Sequence, residues 1–520
     1  MLIKKLTLLA FLVMIVTGIN LAATYYVDAN SGNDANSGTS ASSAWNTISK
    51  VNSKSFSPGD NILFLRGCSW TGTLNFNSSG SSSSPIVYGS YGSGSLPIID
   101  ANNANAAGII QSKNYITVQY IKFQNAGASP GGTIRVSSAI GVVVQNCEFY
   151  LTTQGSVLIQ NSSNCLISHN TVSTPTFLDV QTDGIYSQRN ANNIYECNHI
   201  VISNTETTNH DDCIQSYEDT SLTIRNNYLE QQNNKLQNAQ GIYMTDEAGT
   251  FTVYNNVVKC PNNQANIIGF DNDVTGTASL ILYNNTVIGG GGNTLRIPHT
   301  ATVTVKNNVF VTTYASTLIE IEAALGAGSV FDYNLYYRQD GGSSVINYTG
   351  SKTLTQWRTL GFDAHGLNSN PMLNDSLYPA SNSPVIKAGT NLGGVFNSDK
   401  EGISRPQSGA PDLGAYEVQG TTAVVDDNPN TAVKDYVLAQ NYPNPFNPST
   451  VIKYTIGSAS HVNIKVYDIT GRLVADLVNE NKPAGQYNVE FRGNNLASGT
   501  YIYTITTDNF TQAKKMLLIK

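Results

Sequence analysis

Asp183, Asp211 and Asp212 lie close together as Thr182-Asp183-Gly184 and His210-Asp211-Asp212-Cys213-Ile214, in a chain whose Asp, Glu, Lys and Arg make up only 12%. Like charges held near one another repel, so carboxylates concentrated in so uncharged a sequence imply a use. Two of them about 5 Å apart would split their pKa values, one staying protonated as a general acid and the other ionised as a base or nucleophile. Glycosidic hydrolysis requires that pairing. Carboxylates with amide oxygens are also a hard-ligand set suited to calcium. Calcium or an arginine beside a uronate carboxylate would acidify the C5 proton for elimination. The third use is structural, since an Asp ahead of a strand caps a turn. Aligned on the apolar residue that follows, Gln240, Asn266 and Asn293 fall into the same column, with His210 and Asp211 beside it. Asp246-Glu247 and Asp271 with Asp273 would extend a polar groove. Tyr186, Tyr217, Tyr243 and Phe270 keep the same step, and aromatic faces suit stacking on sugar rings. Arg189, Arg225, Lys235 and Arg296 are the cations a uronate substrate would call on.

Such a column has meaning only if the chain repeats, and it does. A phrase of apolar residue, polar residue, Asn and apolar residue returns at Asn146, Asn170, Asn198, Asn227, Asn256, Asn285 and Asn308. Those intervals of 24, 28, 29, 29, 29 and 23 residues are the signature of a solenoid. Within each period, alternating β-branched residues such as Ile134 and Val136, Val142 and Val144, and Val157 and Ile159 give short strands with no helical spacing between them. A coil of about 25 residues with three strands and no helix is a parallel β-helix. Leucine-rich repeats are disfavoured by the missing LxxLxL frame and per-repeat helix. Amides stacked one per coil form a hydrogen-bonded ladder, which makes Asn226, Asn255, Asn284 and Asn307 scaffold.

At 520 residues the chain exceeds a single compact core, while 40% hydrophobic residues suffice to fill an elongated one. A net charge of -7 offers no basic field for nucleic acid. Residues 1–23 read as a secretory signal peptide, with Lys4 and Lys5, an apolar run from Leu6 to Val16, and Ala22-Ala23 before a mature start near Thr24. The six cysteines lack metal-binding spacing and are expected to be buried packing residues or one or two disulfides. Residues 419–434 read as a linker, and alternating strands return in 435–520 as a small β-sandwich.

Tyr25-Tyr26-Val27-Asp28 through Gly38-Thr39, Trp45 and Pro58-Gly59-Asp60 resemble the opening of secreted right-handed β-helix proteins of the pectate-lyase-like superfamily. Ser383-Pro384-Val385-Ile386, Arg405-Pro406 and Asp412-Leu413-Gly414-Ala415-Tyr416-Glu417 are similar to their closing segment. The resemblance covers residues 24–418, the flanks reading as N- and C-terminal caps. Thr182-Asp183-Gly184 and Asp211-Asp212-Cys213-Ile214 resemble the aspartate motifs of polygalacturonase-type hydrolases. That implies Asp183 and Asp212 as base and acid, with Asp211 sharing the base role. Gln240-Gly241-Ile242 replaces that family's Gly-His-Gly, and Arg296-Ile297-Pro298 its Arg-Ile-Lys. At the other end, Asn441-Tyr442-Pro443-Asn444-Pro445-Phe446-Asn447-Pro448, the strand Val462 to Asp468 with Gly471-Arg472, and Leu496-Ala497-Ser498-Gly499-Thr500-Tyr501 are similar to the sorting domain of type IX secretion cargo. The resemblance implies passage through that machinery across the outer membrane to the medium or cell surface.

The expectation is therefore an exported all-β protein, a right-handed parallel β-helix followed by a small C-terminal β-sandwich, expected as a monomer and acting on extracellular polysaccharide. Its catalytic candidates are Asp183, Asp211 and Asp212, with His210, Gln240, Tyr243, Asn266 and Arg296 binding substrate. Hydrolysis needs no cofactor and no metal is assigned. The alternatives are a calcium-dependent uronate lyase and a non-catalytic glycan-binding or adhesion protein.

Overall fold

The computed structural model describes residues 22–127, 132–150, 155–174, 182–203, 211–232, 239–260, 266–271, 278–313, 317–394, 396–406 and 409–418, and in the C-terminal module 436–438, 441, 446, 449–469, 471–483, 485–493, 496, 499–508 and 510–518. Residues 1–21 of the expected signal peptide and the whole of the expected linker at 419–434 lie outside the described residues, as do His210, Lys235 and Asp273.

Three long sheets of twelve strands each wind around one axis. One coil runs Ala191–Glu196 in the first sheet, His199–Ile202 in the second and Ile214–Tyr217 in the third, before Thr220–Arg225 re-enters the first. Neighbouring coils pair in parallel and in register, as Ile185 with Ile214 and Ile214 with Ile242. Alternation sets the interior. In Ile185–Gln188, Ile185 and Ser187 point inward and are buried, while Tyr186 and Gln188 face out. Inward Ile, Val, Leu and Phe from every coil merge into one continuous core. All six cysteines are free, five of them buried, which resolves that expectation in favour of packing.

The tightest corner joins the first sheet to the second through two residues. The first takes a positive φ, as Asn226 (57°), Asn255 (54°), Asn284 (50°) and Asn307 (58°) do, and Asn tolerates this conformation better than most residues. The second turns inward and builds the ladder. Asn198 N–H donates to Asn227 Oδ1 at 2.9 Å, Asn227 N–H to Asn256 Oδ1 at 3.0 Å, and Asn256 N–H to Asn285 Oδ1 at 3.0 Å. The ladder is thus built by Asn227, Asn256, Asn285 and Asn308, not by the residues before them. Two adjacent amides look equivalent in sequence, and only φ separates their roles. Asn146 likewise holds the turn, and Cys147 fills the inward place.

Trp45 and the helix Ile48–Asn52 pack at the N-terminal end, and the helix Leu354–Thr359, with Trp357 buried, closes the other. The segment from 371 to 418 does not cap that end. Leu377, Val385, Leu413, Ala415 and Tyr416 pack on the outward Val257, Val309, Val311 and Leu335 of the second sheet. It is fastened by the turn asparagines, Asn255 Nδ2 to Ser398 O at 2.8 Å and Asn284 Nδ2 to Asp412 O at 3.0 Å. The expected cap is instead a strap, because the outward face of those late coils is apolar and needs cover.

In the C-terminal module, antiparallel sheets of three and four strands share a core that includes Ile452, Ile464, Val466, Tyr503 and Leu518. The alternating strands expected in 435–520 are present as Ser449–Ile456, Ser460–Asp468, Gly485–Arg492, Gly499–Thr506 and Thr511–Leu518. Leu473–Lys482 was not expected, because only Val478 of its ten residues is buried and no alternation shows.

Candidate functional site

The third sheet decides the site. Its strands begin just after the aspartate column, and the pairings of Ile185, Ile214, Ile242, Ile268 and Leu295 put Asp183, Asp212, Gln240, Asn266 and Asn293 in one file, as the sequence frame required. The file is tied along the axis. Asp183 Oδ1 accepts the Asp212 N–H at 2.9 Å, and Asp212 Oδ1 accepts that of Gln240 at 2.6 Å. Asn293 Nδ2 donates to Asn266 Oδ1 at 3.2 Å, and Thr317 Oγ1 to Asn293 Oδ1 at 2.9 Å. Asp211 Oδ1 accepts from Thr182 N and Oγ1 at 2.7 and 3.1 Å. Asp183, Asp211 and Asp212 are 0% exposed and Gln240 8%. The three carboxylates are therefore side by side, but they face backbone amides at a corner rather than solvent.

The outward face of the same sheet carries the accessible chemistry. Two files run up it in register. The first is Arg135, Leu158, Tyr186, Gln215, Tyr243, Gly269, Arg296, Glu320 and Asn347. The second is Ser137, Gln160, Gln188, Tyr217, Thr245 and Asp271. Gly269 has a steric reason: a Cβ there would lie 2.8 Å from Tyr243 Cδ2, so the missing side chain lets that ring lean over the next coil. Gln160 Nε2 donates to Gln188 Oε1 at 2.8 Å.

Beyond the tyrosines the face becomes charged. Tyr243 Oη donates to Asp271 Oδ2 at 3.3 Å, and His299 Nε2 lies 3.1 Å from Asp271 Oδ1. Arg296 Nη1 is 3.9 Å from Asp271 Oδ2, and its Nε donates to Glu322 Oε1 at 2.6 Å. Asn347 Nδ2 donates to Glu320 Oε1 at 2.6 Å. Side-chain exposure is 18% for Asp271, 31% for Arg296, 41% for Glu322 and 46% for His299, so this cluster meets solvent. Burial, then the Asp271 charge, pushes the Tyr243 phenol up to about 12. Burial raises Tyr186, and the Glu218 charge raises Tyr217. All three are hydrogen-bond donors at neutral pH and poor bases.

Of the residues proposed from sequence, Tyr243 and Arg296 are on this face, while Asp183, Asp212, Gln240 and Asn266 form the corner file behind it, with Asp211 beside them. His210 lies outside the described residues. Phe270 points inward and is fully buried, and Glu247 is buried at the corner between the third and first sheets, so neither extends the groove. Arg225 pairs with Glu196 on the first sheet, away from the face. His299, Glu320 and Glu322 were missed. Carrying the register one coil further, from Leu295-Arg296-Ile297 to Ile319-Glu320-Ile321, would have found Glu320. Among the described residues no group of three His, Cys, Asp or Glu side chains is placed to hold a metal ion.

Residues 107–275 match the right handed beta helix region family, and residues 440–520 match the secretion system C-terminal sorting domain family. Among curated proteins none matches the chain. Similar solved structures include a GH136 lacto-N-biosidase from Eubacterium ramulus, with 14% identity, 58% of this chain and 67% of that one covered, and a TM-score of 0.37. An alginate lyase from Paenibacillus sp. str. FPU-7 has 15% identity, 54% and 97% coverage and a TM-score of 0.39. The surface adhesin PfbA of Streptococcus pneumoniae has 9% identity, 57% and 87% coverage and a TM-score of 0.33. With its coiled sheets and these two matched regions, the chain is a right-handed parallel β-helix protein that carries a type IX secretion sorting domain and is exported to the medium or the cell surface.

Proposed function

We propose that the exported protein binds and hydrolyses an extracellular polysaccharide laid across the outward face of the third sheet. The observation that carries this reading is the pair of in-register outward files, in which Tyr186, Tyr217 and Tyr243 with Gln160 and Gln188 lead to Asp271, Arg296 and Glu322. Coils stack at about 4.8 Å, so the rings are presented along a line that an extended glycan can follow. Tyrosine faces stack on the apolar faces of sugar rings, and glutamine amides hydrogen-bond their hydroxyls. At the charged end Asp271 and Glu322 flank Arg296, supplying two carboxyl groups for acid and base, with the protonated Tyr243 phenol as a donor beside them.

A second reading keeps hydrolysis at Asp183, Asp211 and Asp212, the first and second as base and the third as acid. It is favoured by the direct link from Asp212 N–H to Asp183 Oδ1 and by their place immediately before the strands that bear Tyr186 and Gln215. The lyase alternative would recruit Arg296 and calcium, and the adhesin alternative would use the same face without cleavage.

One assay separates them: incubation with a polysaccharide panel, with and without chelator. Saturated products with new reducing ends mark hydrolysis, and ultraviolet-absorbing products lost on chelation mark calcium-dependent elimination. Retention without cleavage marks a binder. Under the first reading D271N and E322Q each lower kcat about 100-fold while D212N leaves it nearly unchanged; the reverse ranking would move the chemistry to the corner aspartates.

A further inference from the structure

The face is unusual in how its charges are spent. Arg296 is held between Asp271 and Glu322, and Arg189, at the edge of the tyrosine files, is ion-paired with Glu218. Arg135 stands two coils before Tyr186, beyond Leu158. Among the described residues of the stretch from Tyr186 to Asn347, the outward ionised groups on the files and their edge are Glu218, Asp246, Asp271, Glu320 and Glu322 against Arg189 and Arg296, with His299 beside Asp271. The platform proper, Gln160, Tyr186, Gln188, Tyr217 and Tyr243, carries no charge at neutral pH, and Leu158 and Gln215, which share its first file, are buried and uncharged as well. A polyuronate brings one carboxylate per sugar and needs a cation free to meet it. Placed here it would meet neutral rings first, then more carboxylates than guanidiniums.

Resting on the outward face as the substrate site, we infer that the polysaccharide is a neutral one, recognised by stacking and hydroxyl hydrogen bonds, and that the paired acids of the charged end exclude polyuronates. Exclusion is active: the carboxylates around Arg296, among them Glu322 that pairs with it and Glu320 in the next coil of its file, repel an anionic chain, so neutralising these two should relax the selectivity.

The test uses the full chain without its leader in native affinity gels cast with neutral polymers (β-glucan, xylan, glucomannan, dextran) or polyuronates (polygalacturonate, alginate), run at low and moderate salt. Retardation by at least one neutral polymer is expected, insensitive to salt and weakened at least tenfold by Y186A, Y217A or Y243A, with unfolding midpoints recorded to exclude collapse of the coils. Polyuronates should leave mobility unchanged, and the double variant E320Q/E322Q should gain retardation by polygalacturonate. Polyuronate binding by the unmodified chain, tyrosine-dependent and screened by salt, would overturn the substrate class while leaving the face as the site. Binding to neither polymer class, or binding indifferent to all three tyrosines, would take down the site itself and this inference with it. Failure of the double variant to gain affinity would show that paired charge is not what excludes the anionic chain.

Discussion

At the corner between the first and second sheets the coils from Asn170 to Asn334 each contribute an inward asparagine, whereas the in-register residues at the corner before the third sheet are Asp183, Asp212, Gln240, Asn266, Asn293 and Thr317. Both files hydrogen-bond along the axis. In the asparagine ladder each side-chain oxygen accepts the N–H of the coil before it, while Asp183 and Asp212 accept from the coil after. The difference follows from the connections. Two residues link Arg225 to Tyr228, and so tight a turn repeats the same two conformations at every coil. Ten residues separate Gln231 from Ile242 and seven separate Cys260 from Ile268, so nothing forces one residue type there. The ladder's end makes the same point. Asp363 replaces Asn where no further coil needs a donor, accepting from Asn334 N and Nδ2 and from Tyr336 Oη.

The sharpest way to break this comparison is N256A. Asn256 accepts from Asn227 and donates to Ile224 O and Asn285 Oδ1, all buried, so its loss should cost about 3 kcal/mol in chemical denaturation. A cost below about 1 kcal/mol would show that the ladder is incidental.

Next in size is a pH dependence. Burial pushes Asp219, at the third corner, and Asp363 up to about 6 from an ordinary 3.8. The folded state then binds these protons more tightly than the unfolded chain. Their contribution is complete below pH 3.8 and is lost as pH rises through 6. The chain should therefore be more stable at pH 5 than at pH 7.5, by about 1 to 2 kcal/mol per group. Glu247, Asp399 and Asp412 shift in the same direction, while Asp34 and Glu230 oppose it. D219N with D363N should flatten the profile followed by thermal unfolding; a profile that stays as steep would reject the assignment.

N284A removes the strap bonds, the bond accepted from Asn307 Nδ2 and a side chain suited to φ 50°, and should cost about 1 to 2 kcal/mol, whereas N284G loses the same bonds to Asp412, Gly414 and Asn307 but keeps a residue at ease in that turn. Equal losses would mean that the turn conformation carries no cost. The smallest effect is expected of D212N, since an amide oxygen can still accept the Gln240 N–H. A change within about 1 kcal/mol would mark the corner carboxylate as exchangeable scaffold, and a loss as large as that of N256A would erase the distinction between the two corners.

The coil period, the β-branched alternation and the sorting module were legible in the residues because each is a local pattern repeated many times. So was the register of Asp183, Asp212, Gln240, Asn266 and Asn293, since one strand pairing propagates to all of them. Direction and depth were not. Asn226 and Asn227 are the same residue type, yet one holds a left-handed turn and the other the ladder, a division made by backbone angles that neither residue announces. Asp212 carries the charge that marks a catalyst, but the amide of the following coil claims its oxygen in the interior. The convergence of Tyr243, Asp271, Arg296, His299 and Glu322, drawn from four coils, exists only once winding stacks residues scores of positions apart. Sequence alone determined which residues share a file, because hydrogen-bonded strands transmit register. Tertiary structure alone decided which files meet solvent, because that depends on how three sheets close around a common core and on which outward face the returning strap covers.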